Sequence, residues 1–188
     1  GPEAIFASGV GQHQMWAAQF FKYNRPNSWL NSGGAGTMGY SVPAAMGAKL
    51  GRPDREVWAI SGDGGFMMNV QELGTLAEFN IPVHVAIMED SSLGMVRQWQ
   101  NLLFKGNISH SEFKNPDFVK LANAFDIPAW RVRTYEEAHK AIKEARKVDG
   151  PTLITFMVDP DEHVYPMVPP NTALGNQALR DADLLKDQ

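Results

Sequence analysis

From residue 56 onward the chain alternates between short runs of continuous apolar residues and longer stretches with apolar residues at helical spacing; before that, helices and turns are expected. Residues 12–23 read as a helix, with bulky apolar side chains at Met15, Trp16, Phe20 and Phe21 and Pro26 beyond its end. Residues 31–39 form a turn-rich loop holding four glycines. Residues 41–50, rich in Ala and other small residues, predict a closely packed helix with Pro43 in its first turn. A turn at 51–54 leads into 56–61, where Val57-Trp58-Ala59-Ile60 is a buried-strand run. Gly62-Asp63-Gly64-Gly65 breaks that run. Residues 68–79 then carry Val70, Leu73, Leu76 and Ala77 at helical spacing. Pro82 precedes a second strand, 83–88, and Ser91-Ser92 opens a helix through Trp99. Further expected elements are a helix at 116–125, a short strand at 129–132, a charged helix at 135–147 and a strand at 153–158. A Pro-rich tail follows and ends in a short polar helix. The segment 25–31, which holds Pro26 and Asn27, makes a poor strand.

Strands that are apolar on both faces, separated by helices, predict an α/β fold: a three-layer parallel sheet with helices on both faces. Ligands of such sheets bind beyond the carboxyl ends of the strands, so the loops after Ser61 and Met88 are the ones to examine.

Composition narrows the class. The chain has 188 residues, 44% hydrophobic and 20% charged, the size and balance of a single globular domain. No apolar run approaches a bilayer-spanning length, so no membrane partner is expected. A net charge of -4 argues against a nucleic-acid partner. The absence of cysteine excludes disulfides, thiolate metal sites and a thiol nucleophile, and it suits a cytoplasmic location. Gly1-Pro2, with no initiator Met, reads as a remnant of tag removal at the edge of a piece cut from a longer protein.

The candidate chemistry sits at the two strand ends. Asp63 follows the first strand and Glu89-Asp90 the second, and the intervening helix should bring Asp63 and Asp90 together. Two carboxylates with nearby carbonyls make a hard-oxygen site for Mg²⁺ or Ca²⁺. A helix beginning near Phe66 would aim free N–H groups at the same place, which favours a phosphate. Together these suggest Mg²⁺ bridging the protein and a diphosphate. The residues alone leave open that Asp63 only caps a helix and Asp90 only makes a turn. Gly34-Ala35-Gly36-Thr37-Met38-Gly39 fits the dinucleotide fingerprint G-x-G-x-x-G, but it lacks the preceding strand that the motif needs.

Gly62-Asp63-Gly64, with an acidic pair at Glu89-Asp90, resembles the thiamine-diphosphate motif, in which Gly-Asp-Gly is followed by Asn-Asn. Longer stretches resemble the large catalytic subunit of acetohydroxyacid (acetolactate) synthase. They are residues 9–16, 32–39 and 66–73, Leu93-Gly94-Met95-Val96 with Gln98-Trp99, and 162–169. The resemblance runs from about Ala7 to Pro170. It implies that all of 1–188 is one diphosphate-binding domain with a C-terminal arm from about 159 to 188. The family's pyrimidine-binding domain and central FAD-holding domain have no counterpart in these residues.

The resemblance also implies residue roles. Asp63 and Asp90 would bind Mg²⁺ with the backbone carbonyl of Ser92. Val10, Gly11, Gln12 and His13 would meet the diphosphate, as would the N–H groups of Gly64 and Gly65. Leu93, Gly94, Met95 and Val96 would line the thiazolium side. The Gly36 carbonyl would accept from the aminopyrimidine, and Met38 would wedge between the cofactor's rings. Trp99 would stand in the substrate channel, which in the family also contacts herbicides, and residues 166–170 would close over the site. Family substrates are pyruvate and 2-oxobutyrate, joined after decarboxylation for branched-chain amino-acid synthesis.

No catalytic residue is expected in this chain. The family's activating Glu belongs to the pyrimidine-binding domain of a neighbouring subunit, and Glu72 is on the wrong helix to replace it. The fragment should therefore be inactive alone and self-associate through exposed apolar faces, as a homo-oligomer does. The alternatives are a domain of another thiamine-diphosphate enzyme, such as pyruvate oxidase or a related carboligase, and a non-catalytic split or engineered module. Two departures from the family stand out: Glu89-Asp90 in place of Asn-Asn, and the small Ser91-Ser92 after it.

Overall fold

The computed structural model describes residues 3–169 and 171–181. The Gly1-Pro2 reading and most of the expected polar C-terminal helix lie outside those residues. The strands are β1 (Ile5–Ser8), β2 (Trp29–Asn31), β3 (Val57–Gly62), β4 (Val83–Glu89), β5 (Ala129–Val132) and β6 (Thr152–Met157). The helices are α1 (Gln12–Phe20), α2 (Ser41–Gly51), α3 (Asp63–Met67), α4 (Glu72–Glu78), α5 (Gly94–Leu103), α6 (Phe118–Asn123) and α7 (Tyr135–Ala145).

All six strands form one sheet in the order β2-β1-β3-β4-β6-β5, and every neighbouring pair is parallel. Successive side chains of a strand take opposite faces. Val57 and Ala59 of β3 join Val83, Val85 and Ile87 of β4 on one face, under Ala45 of α2, Leu73 and Leu76 of α4, and Phe118 of α6. Trp58, Ile60 and Ala86 lie on the other face, with Ala141 and Ala145 of α7. The steps β2 to β3, β3 to β4 and β4 to β5 all run in one direction across the sheet, and α2, α3, α4 and α6, which lie within them, share a face. The step from β5 to β6 runs backward, and its helix takes the opposite face, as right-handed crossovers require.

The structure corrects several expectations. Alternation begins at β1, not near residue 56. The segment 25–31 ends in a true strand: β2 pairs with β1 through Phe6↔Trp29, Ala7↔Leu30 and Ser8↔Asn31. This sheet pairing supplies what the local sequence lacks. The helix expected at 68–79 is shorter: α4 begins only at Glu72, while a separate short helix, α3, runs from Asp63 itself to Met67. Between them, Asn69 donates from Nδ2 to the Gly39 carbonyl (2.7 Å) and ties the break to the glycine-rich loop. A Cβ at Gly39, whose φ is 83°, would lie 2.6 Å from that same Nδ2, so only glycine fits.

Ser91-Ser92 does not start a helix. It forms an antiparallel bridge with the segment around Glu112, in which Leu93 N–H donates to the Ser111 carbonyl (2.7 Å) and Phe113 N–H to the Ser91 carbonyl (3.0 Å). Helix α5 starts only at Gly94. Helices α1, α6 and α7 each stop short of the expected C-terminal limit.

Candidate metal and diphosphate site

Strand β1 sends its chain toward β2 on one side, and β3 sends its chain toward β4 on the other. Their carboxyl ends therefore flank the point where the winding reverses, the usual ligand crevice of an open α/β sheet. A cleft of about 300 Å³ lies there, lined from the loops after β1, β3 and β4.

The loop after β1 brings Val10, Gly11, Gln12 and His13 to this cleft. His13 is buried with its ring between backbones. A Cβ on Gly9 would lie 2.8 Å from its Nε2, and one on Gly62 would lie 3.0 Å from its Nδ1 and Cε1. Burial pushes the imidazole pKa down to about 4, so the ring is neutral, and its buried Nε2 has no hydrogen-bond partner among the described residues.

After β3 the chain places Asp63, Gly64 and Gly65 on the cleft, and after β4 it places Asp90, Ser92, Leu93, Gly94, Met95 and Val96. The flush register Gly62↔Met88 sets the two acids side by side. Asp63 is almost fully buried, at 1% exposure. Its Oδ1 accepts from Gly64 N–H (2.7 Å). Its Oδ2 accepts from Ser91 N–H (2.7 Å), Asn115 Nδ2 (2.7 Å) and Asp90 N–H (3.2 Å). Burial raises the Asp63 pKa to about 6; the Asn115 bond opposes the shift, and the Asp90 charge adds to it. Asp90 is raised as well, chiefly by burial, against hydrogen bonds from Ser92. Ser92 N–H donates to Asp90 Oδ1 (2.9 Å) and Ser92 Oγ to Oδ2 (2.9 Å).

A buried and a half-buried carboxylate that repel each other suit a divalent cation, and the Ser92 carbonyl stands outside the hydrogen bonds of its own bridge. The donors are all hard oxygens, which fits Mg²⁺. Glu89 belongs elsewhere: it is buried on the other side of β4's end, where Thr155 Oγ1 donates to it at 2.5 Å and Arg131 Nε lies 4.0 Å away. Only one acid of the Glu89-Asp90 pair therefore faces the cleft.

Met38 lines the cleft, whereas Gly36 sits on the exposed loop and Trp99 on α5, neither of them in the lining. The Gly64 N–H, expected to be free, is held by Asp63. The sequence reading also missed Asn115, Gln98 and the lining residues Met88 and Val158. Gln98, 1% exposed, accepts at Oε1 from Gln12 Nε2 (2.9 Å) and Val164 N–H (3.0 Å), while Gln12 Nε2 also reaches the Glu162 carbonyl (3.1 Å). This amide cluster and the Arg97–Asp161 ion pair (2.8 Å) fasten the start of the arm to α1 and α5.

Residues 9–156 match the family described as thiamine pyrophosphate enzyme, C-terminal TPP binding domain. The chain belongs to that family. This TPP-binding domain is 52% identical over 174 residues to the acetolactate synthase large subunit of Corynebacterium glutamicum, covering 89% of the chain and 28% of that protein. It is 50% identical over 173 residues to the probable acetolactate synthase large subunit of Methanococcus aeolicus, covering 92% and 29%. Against the chloroplastic acetolactate synthase 2 of Zea mays it is 45% identical over 185 residues, covering 94% and 29%. The TPP-binding domain thus spans under a third of the length of these relatives. Its all-parallel sheet and helices are those the resemblance implied.

Proposed function

We propose that this domain holds Mg²⁺ and the diphosphate end of thiamine diphosphate in an acetolactate synthase, an enzyme that decarboxylates pyruvate and joins the product to a second 2-oxo acid. The observation that carries the reading is the facing of Asp63 and Asp90 at the ends of β3 and β4, inside a cleft lined by the loop after β1.

In this reading Asp63, Asp90 and the Ser92 carbonyl hold the cation. The loop of Val10, Gly11, Gln12 and His13, with Gly65 in the first turn of α3, receives the diphosphate. Neutral His13 accepts or donates a hydrogen bond there. Leu93, Gly94, Met95 and Val96 supply an apolar wall that excludes water, and Met38 and Gly36 address the aromatic end of the ligand. Trp99 and the arm border the substrate path. Bound thiamine diphosphate supplies the carbon nucleophile, and the protein's part is orientation and desolvation. The carboxylate that activates the pyrimidine comes from another domain of a neighbouring subunit, in a homo-oligomer that also carries FAD. The 188-residue chain by itself therefore binds Mg²⁺ and the diphosphate end of the cofactor but does not turn over pyruvate.

Calorimetry of the chain with thiamine diphosphate, with and without Mg²⁺, tests the reading. Binding that needs Mg²⁺ and vanishes in Asp63→Ala is the expected result. Equal binding without the metal, or acetolactate formed by the pure chain, would contradict it.

A further inference from the structure

Asp63 is held by more than its own loop. Asn115, in the segment between α5 and α6, stands 52 residues further along the chain, yet its Nδ2 donates to Asp63 Oδ2 at 2.7 Å and reaches Ser91 Oγ at 3.3 Å. The orientation of this amide is forced, because turning it over would press Oδ1 against a carboxylate oxygen. The arrangement leaves Asn115 Oδ1 buried with no partner in the protein. A buried unpaired acceptor is costly, so the donor side serves a demand strong enough to offset that loss.

The two oxygens of Asp63 are used unequally. Oδ2 already accepts three donors, from Asp90 N–H, Ser91 N–H and Asn115 Nδ2. Oδ1 accepts one, from Gly64 N–H. A carboxylate offers about four acceptor positions, two on each oxygen. Oδ2 is therefore saturated, and the open lone pair of Asp63 lies on Oδ1.

We infer that Asn115 is a positioning residue for the cation site: its amide pins Asp63 Oδ2, so that Oδ1 is the oxygen presented to the metal, in a fixed orientation. The inference rests on the proposed Mg²⁺ site and adds a residue from outside the Gly-Asp-Gly segment and the β4 loop. Mg²⁺ demands near-ideal octahedral geometry, whereas Ca²⁺ tolerates irregular oxygen shells. A pinned carboxylate therefore favours the smaller ion, and a released one discriminates less.

The test uses the 188-residue chain and Mn²⁺ alone, followed by electron paramagnetic resonance of the free ion, with Mg²⁺ and Ca²⁺ as competitors, well below the melting temperature. Asn115→Ala should weaken Mn²⁺ binding by about tenfold or more, the usual cost of losing a group that orients a metal ligand. Mg²⁺ should lose more affinity than Ca²⁺. Unchanged Mn²⁺ affinity, or equal losses for all three ions, overturns the inference and leaves the cation site standing. Failure of the wild-type chain to bind Mn²⁺ overturns both. If Asn115→Ala does not fold, nuclear magnetic resonance of the wild-type Asn115 side-chain amide replaces it. Those signals should shift on addition of Mg²⁺, and an unmoved amide at saturating Mg²⁺ overturns the inference.

Discussion

The backbone N–H of Asp90 donates to the Asp63 carboxylate at 3.2 Å while the Asp90 side chain, a second carboxylate, pushes the Asp63 pKa upward. One residue thus both supports and repels its neighbour.

The repulsion can be removed without disturbing the support. In Asp90→Asn the side-chain oxygen still accepts from Ser92 N–H, and the new NH₂ can donate to the Ser92 hydroxyl, so both local hydrogen bonds survive. The metal-free variant should be more stable than the parent at pH 7, because the charge that disfavours ionised Asp63 is gone. Its Mg²⁺ affinity should fall, and thiamine diphosphate binding should depend less on Mg²⁺. Urea denaturation without metal and calorimetric titrations of the two chains check this, and identical metal dependence would refute it.

This pair also marks what the sequence could disclose. Apolar runs at 57–60 and 83–88 announced two central strands, and acids just beyond them pointed to the carboxylate pair of the proposed cation site. Strand β2 was hidden because three half-buried residues after Pro26 carry no local pattern, and its pairing with β1 is a long-range event. The break at 68–71 was hidden because Val70, inside it, keeps helical spacing with Leu73 and Leu76 of α4. The Asn69–Gly39 bond that accompanies the break joins residues 30 apart. Asn115 gave no signal at all, since nothing in Lys114-Asn115-Pro116 specifies a partner at Asp63.

The amide cluster around Gln98 should be worth measuring as a unit. A Cβ at Gly94 would lie 2.1 Å from Gln12 Oε1, so Gly94→Ala must push the Gln12 side chain off its partners. Gln98→Ala removes the acceptor that Gln12 and Val164 share. Each change should cost about 1–3 kcal/mol, the range for stranding buried polar groups. The double variant should cost less than the total of the two, because both break the same contacts. Additive losses in urea denaturation would show that the residues act separately.

Proteolysis gives a second view of that cluster. Cleavage near Asp159 to Glu162 should be faster in Gln98→Ala than in the parent, because the arm's start loses its anchor at Val164. Equal cleavage rates at matched folded fraction would contradict the anchoring role.

Stability should depend on pH through His13. Its ordinary pKa of 6.5 falls to about 4 in the folded chain, because burial disfavours the charged ring. The unfolded chain therefore takes a proton that the folded chain refuses between those values. The His13 contribution to stability is full above about pH 6.5 and is lost progressively down to about pH 4. The total loss is bounded at roughly 3 kcal/mol. Asp63, whose pKa is raised, works in the opposite sense but is common to both chains in a comparison with His13→Gln. The difference in unfolding free energy between His13→Gln and the parent should therefore vary across this window. A constant difference would refute the assignment.

Gln12, Gln98 and Glu162 meet at one point although 86 residues separate the first two and 150 separate the first and last. Contacts that close such long loops carry a large entropic cost before they are rewarded, so they form late. The sheet can assemble from nearer neighbours, whereas the wall of the cleft where the arm is fastened waits for nearly the whole chain to be in place. Ribosomal synthesis reaches residue 162 only after all six strands have been made. The order of manufacture therefore delivers the strands of the sheet before the contacts that fasten the arm beside the cleft.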